Sequence, residues 1–151
     1  MHRFKYVWPA VLCALVIFAF STSLFSSTNT GHFIIPVLHF LFPSYSPAAL
    51  QNLHFRIRKL GHISEYFVFC LLVFRGLRRD RPGWALEWAL WAVLIAAVYA
   101  GTDEFHQIFV PGRTPAVEDV MIDTFGAMLA QCCVFAWSFR RARANISIAG
   151  D

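Results

Sequence analysis

Apolar positions along the chain gather in long blocks separated by short polar segments, not in the short alternations of a soluble fold. Val7 to Phe25 is apolar until Ser21-Thr22-Ser23. Leu60 to Leu77, Trp84 to Gly101 and Val120 to Phe139 are three further blocks. About 20 apolar residues cross a bilayer as a helix, so the pattern predicts four transmembrane helices at about 7–25, 60–77, 84–101 and 120–139. A cleavable signal peptide is the rival reading of the first block, but no clean A-x-A site follows it. Phe33 to Phe42 is apolar, too short to span and contains Pro36, so it is expected to be a re-entrant or interfacial segment. Ser46-Pro47 is an N-cap followed by a first-turn proline. Leu50, Leu53, Ile57 and Leu60 then recur at helical spacing among Gln51, Arg56, Arg58 and Lys59, which predicts an amphipathic helix on the membrane surface.

The third block carries Ala85, Ala89, Ala92, Ala96 and Ala100 at a spacing that lets another helix approach closely, and Gly126 with Ala130 does the same in the fourth. Trp84, Trp88 and Trp91 suit an interfacial belt. Glu87 is expected to pair with the basic loop Arg75 to Arg81. Thr114-Pro115 repeats the capping signal, with Glu118 and Asp119 in the first turn after it. Arg140, Arg141 and Arg143 close the last block, and the polar tail beyond them is read as disordered.

Composition agrees with this layout. The 151 residues are 58% hydrophobic and 15% charged, against the roughly 25% charged of soluble domains. The expected fold is therefore a single all-α integral membrane domain over residues 1–151, with the lipid bilayer as its main partner. The net charge of +4 comes from short basic clusters beside apolar blocks, which is a signature of membrane orientation and not of nucleic-acid binding. Four spans put both termini on one side, with Arg3, Lys5, Arg75, Arg78, Arg79, Arg81, Arg140, Arg141 and Arg143. The other side holds Arg56, Arg58, Lys59 and Arg113. This bias predicts cytoplasmic termini in the inner membrane. Cys13, Cys70, Cys132 and Cys133 all lie in apolar runs and have no disulfide or zinc spacing.

One stretch resists the apolar rule. Thr102 to Gly126 holds Asp103, Glu104, Glu118, Asp119 and Asp123, five of the nine carboxylates, together with His106, Gln107 and Arg113. His62, Glu65 and Tyr66 share a face in the first turns of the second span. The alternation of spans brings all three groups to the extracytoplasmic end. Ionisable residues so near hydrocarbon usually face a bundle interior or a wet cavity. The candidate acid, base or catalytic groups are Asp103, Glu104, Asp119 and Asp123, with His62 and His106 assisting. The same four carboxylates are the candidate ligands of a divalent cation. Arg113, with Gln107, Glu65 and Tyr66, is the candidate ligand-binding set, its planar fork suited to phosphate or carboxylate. The competing reading is a structural network locking three helices together. His32, His39 and His54 are read as interfacial.

The segments Arg58-Lys59-x-x-His62-x-x-Glu65-Tyr66, Tyr99-Ala-x-x-Asp103-Glu104-x-His106-Gln107-x-Phe109-Val110-Pro111-Gly112-Arg113 and Asp119-Val-x-Ile-Asp123-Thr-x-Gly126 together resemble the VanZ-like membrane protein family. The resemblance runs from about Val7 to Phe139. It implies a small multi-pass cell-envelope protein, linked through the founding member to lowered susceptibility to the lipoglycopeptide teicoplanin. It supplies no agreed reaction. The expected partner is an anionic envelope component, such as a lipid-linked phosphate or cell-wall precursor. The alternative is a non-enzymatic scaffold or accessory subunit.

Overall fold

The computed structural model describes residues 4–149, with side chains described to residue 143. The element order is α1 (Phe4–Phe20), a short 3-10 turn (Ser23–Phe25), α2 (Ser27–Leu41), α3 (Pro47–Arg78), α4 (Leu86–Gln107) and α5 (Val117–Ala149). The described chain is all helix and turn. Helices α3, α4 and α5 are each long and apolar enough to cross a membrane. A fourth crossing is reached if α1 and the segment Ser23–Leu41, bent by 68°, form one broken span. The protein is thus an all-α membrane protein, its apolar helix faces suited to lipid.

The alanines of α4 hold the bundle together. Ala89, Ala92, Ala96 and Ala100 are all buried, and the small side chains let α3 and α5 pack closely around them. Tyr66, Phe69, Cys70, Val73 and Phe74 of α3 fill the core with Ala127 and Ala130 of α5. Gly126 faces the backbone of Ile63 so closely that α3 and α5 touch main chain to main chain. Helix α1 joins through Ala10 and Ile17, and the Tyr99 hydroxyl donates to the Ala14 carbonyl at 2.6 Å.

Several local expectations change. The amphipathic helix and the second span are one uninterrupted helix of 32 residues, capped by Ser46, whose Oγ accepts from the Ala49 N–H at 3.3 Å. No proline interrupts it after Pro47, and Gly61 lies inside the helix without a break. The first span ends at Phe20, where polar side chains take over the backbone. Thr22 Oγ1 donates to the Ala19 carbonyl at 2.7 Å, Asn29 Nδ2 to the Ser23 carbonyl at 2.9 Å, and Ser26 Oγ accepts from the Asn29 N–H at 3.3 Å. These bonds build the bend and start α2, which lies against the first turns of α3. His54 is buried there against Gly31 and shares a hydrogen bond of 3.3 Å with Thr30 Oγ1, so it is not interfacial. Helix α5 continues through Ala149, where a disordered tail was expected. Glu87 is exposed and forms no ion pair among the described residues; from the next residue, the Trp88 ring takes the loop's Arg81 at 5.6 Å instead.

Candidate functional site

Four helix segments converge at one end of the bundle: the C-termini of α1 and α4, the N-terminal half of α3 and the N-terminus of α5. On α3, His54, Arg58, His62 and Glu65 follow one another at four, four and three residues, so they form a polar stripe along one face. On α4, Asp103, Glu104 and Gln107 share the inward face, and all three are buried. The carboxylates foreseen from the sequence do gather at this end, but they divide into a paired set and an open set.

The paired set ties helices together. His62 Nδ1 meets Asp123 Oδ1 at 3.2 Å, joining α3 to α5, and Asp123 is 1% exposed. Lys59 pairs with Asp119 across the same two helices. The Gln107 amide donates to Glu104 Oε1 at 2.9 Å and to Asp103 Oδ2 at 3.1 Å. Glu104 Oε2 accepts from the Ala116 N–H at 2.8 Å. The N-terminus of α5 is thus capped by a carboxylate from α4, where its negative charge also complements the helix dipole, and not by Thr114. Among the described residues no three His, Cys, Asp or Glu side chains form a metal-holding group. The expected cation set of Asp103, Glu104, Asp119 and Asp123 is not assembled because Lys59, His62 and the Ala116 N–H each take one of its members.

The open set lines a cavity of about 230 Å³. Its polar wall includes Arg58, Glu65, Tyr66, Asp103 and Arg113, and its apolar wall includes Ile17, Phe20, Phe25, Ile34 and Ile57. A second cavity of about 300 Å³ adjoins it, sharing Arg58, His62, Gln107 and Arg113 and reaching Lys59 and Asp119. Four polar atoms of residues that line the first cavity are buried without a hydrogen-bond partner among the described residues: Ser21 Oγ, Arg58 Nη1, Asp103 Oδ1 and the Tyr66 hydroxyl oxygen. Such groups cost on the order of 1–3 kcal/mol each when unsatisfied, more when charged. Five more such atoms, on Tyr6, Arg78, Trp84, His106 and Gln131, lie away from this cavity, which is thus one of several places where the fold leaves polar capacity unused.

Arg113 sits differently from expectation. Its Nε and Nη2 donate to the Thr22 carbonyl at 3.1 and 3.0 Å, and Nη2 also donates to the Phe20 carbonyl. The guanidinium clasps the Phe20 carbonyl at the end of α1 and, just beyond it, the Thr22 carbonyl, which also accepts from the Phe25 N–H at 3.3 Å. Burial, followed by the charge of Arg58, pulls this guanidinium down from its usual value, yet the group stays cationic. Arg113→Lys keeps the charge but loses the fork. It is expected to cost about 1.5–3 kcal/mol, read as a lower thermal midpoint in detergent with faster proteolysis between Ser21 and Ser26. An unchanged midpoint would refute the clasp.

His106 lies one position from Gln107 and so points to another side of α4. Its ring rests 4.6 Å from the Phe18 ring and reaches neither cavity. The sequence pattern assigns Arg58 to an amphipathic helix on the membrane surface and leaves it out of the candidate site. The signal that could have raised it was its spacing to His62 and Glu65, which continues their stripe.

A family model described as VanZ/LLP1 matches residues 6–138, most of the chain. No curated protein and no solved structure matches it. With the helical bundle and the family match agreeing, this chain is a member of the VanZ/LLP1 family of membrane proteins.

Proposed function

We propose that the protein recognises or processes an anionic, lipid-linked component of the bacterial envelope, a lipid phosphate or the phosphate end of a cell-wall precursor. The binding end of the bundle faces away from the cytoplasm, and both termini lie inside. The observation that carries this reading is Arg58: a guanidinium in neither ion pair of the described residues, lining a cavity that apolar side chains also line. A planar cation beside an apolar wall suits a phosphate attached to a hydrocarbon chain. Arg113, anchored by its main-chain contacts, holds a second positive charge beside the first. The link to teicoplanin susceptibility implied by the resemblance then follows from capture of an envelope lipid and requires no contact with the drug.

The test is a titration of purified protein in detergent with dioctanoyl phosphatidic acid, followed by native mass spectrometry. Arg58→Gln is expected to weaken binding by about tenfold or more, the worth of a charge-assisted hydrogen bond. Equal binding by the variant, or none by either protein, would defeat the reading. Orientation has its own measurement. A cysteine replacing the exposed Thr114 should react with an impermeant thiol reagent on intact cells, above the background of the four native cysteines. One replacing the exposed Asp80 should react only after lysis; the reverse pattern would invert the topology.

A second reading has its own support in the paired set. His62 with Asp123, Lys59 with Asp119, and Glu104 with the start of α5 behave as fasteners between helices. If the open cavity binds nothing, the protein is a scaffold or accessory subunit whose polar cluster is structural.

A further inference from the structure

We infer that the ligand of the 230 Å³ cavity carries a cationic amine as well as a phosphate, the chemistry of a phosphoethanolamine headgroup. This rests on the reading that the cavity binds a lipid-borne phosphate and adds what that phosphate must carry. Charges of both signs line the one space. Arg58 brings a guanidinium; Glu65 and Asp103 bring carboxyl groups. None of the three takes part in either ion pair of the described residues. Asp103 is 6% exposed with Oδ1 unpartnered, and the fully buried Tyr66 leaves its hydroxyl oxygen unpartnered on the same wall.

Opposite charges that share a cavity without meeting call for a bridging ligand. A purely anionic headgroup would satisfy Arg58 but stand against Glu65 and Asp103. A lone cation would do the converse. An amine-bearing phosphate satisfies both at once: phosphate oxygens accept from the Arg58 guanidinium, and the ammonium donates to the Asp103 and Glu65 carboxylates. Size points the same way. Sites for drug-sized molecules run to about 300–1,000 Å³, and this cavity, at about 230 Å³, has room for a headgroup. The apolar wall from Ile17, Phe20, Phe25 and Ile34 leaves a greasy side on which an attached chain can lie.

The experiment titrates the full-length protein in maltoside micelles with dioctanoyl phosphatidylethanolamine, its N-acetylated derivative and dioctanoyl phosphatidylglycerol, with binding read by native mass spectrometry. N-acetylation removes the positive charge and keeps the phosphate. The expected result is binding of phosphatidylethanolamine about tenfold or more tighter than of the other two. Glu65→Gln and Asp103→Asn should erase most of that preference, while Arg58→Gln should weaken all three lipids. Because the comparison among lipids needs no substitution, poor folding of a variant leaves it intact. Equal binding of all three lipids overturns the amine requirement and leaves the lipid-phosphate reading standing. Failure of all three overturns both. Competition by soluble O-phosphoethanolamine as strong as that of the lipid would support the headgroup chemistry and make the free solute its source; much weaker competition assigns it to the lipid.

Discussion

Replacing Gly126 with alanine is expected to destabilise the bundle by about 3 kcal/mol, the upper end of what overpacking costs in a closely packed interior. A Cβ at this position would lie 2.5 Å from the Ile63 carbonyl oxygen and 3.1 Å from its carbonyl carbon and Cα. The obstruction is backbone, so no rotamer change relieves it; α3 and α5 must separate. Separation would also disturb the site, because Asp123 lies one turn before Gly126 and Ile63 follows His62. Thermal midpoint and folded yield in detergent provide the measurement. Gly61→Ala is the matched control. Nothing lies within 4 Å of a Cβ there, so removing a helical glycine should stabilise by about 0.5–1 kcal/mol. Similar midpoints for the two variants would mean that the helices do not meet at Gly126.

Replacing His62 with phenylalanine is expected to cost about 3–5 kcal/mol, because it strands a carboxylate that is 1% exposed. The reverse truncation, Asp123→Leu, should cost less, since the His62 side chain is 18% exposed and reaches the cavities. The two changes together should be less harmful than their sum by about 1 kcal/mol or more, as expected for contacting partners. Strict additivity in the double-mutant cycle would show that the two side chains do not interact. Asp123→Asn is the gentler probe. It keeps an acceptor for the imidazole N–H at nearly the same shape, so a folded variant with altered lipid binding would separate the proposed function from assembly.

The large pattern was open to a sequence reading because it rests on hydropathy and on alternation. Three polar clusters sat at the ends of apolar blocks, and antiparallel helices bring such ends together whatever the packing between them. The bonds within the cluster were not open to it, because they are non-local. Lys59 finds Asp119 and His62 finds Asp123 across about sixty positions, and α5 takes its cap from Glu104, twelve residues upstream. The continuity of α3 was hidden for another reason. A stripe of apolar and charged residues reads the same on a surface-bound helix as on the first turns of a longer one. His106 and Gln107 show how fine the distinction becomes: one residue along α4 moves a side chain by about 100°, from the cavity region to the flank of Phe18.

The unbroken 32 residues of α3 make a rod about 48 Å long, while the hydrocarbon of a bilayer is about 30 Å thick. To submerge it entirely would take a tilt of roughly 50°, beyond the usual range of about 0–40°. Some of its turns must therefore stand clear of the oil, and Arg58 rides on the same stiff shaft as the buried Phe69 and Phe74. Depth of immersion becomes a property the lipids can set: a thicker membrane draws the arginine toward hydrocarbon, and a thinner one lifts it into the headgroups.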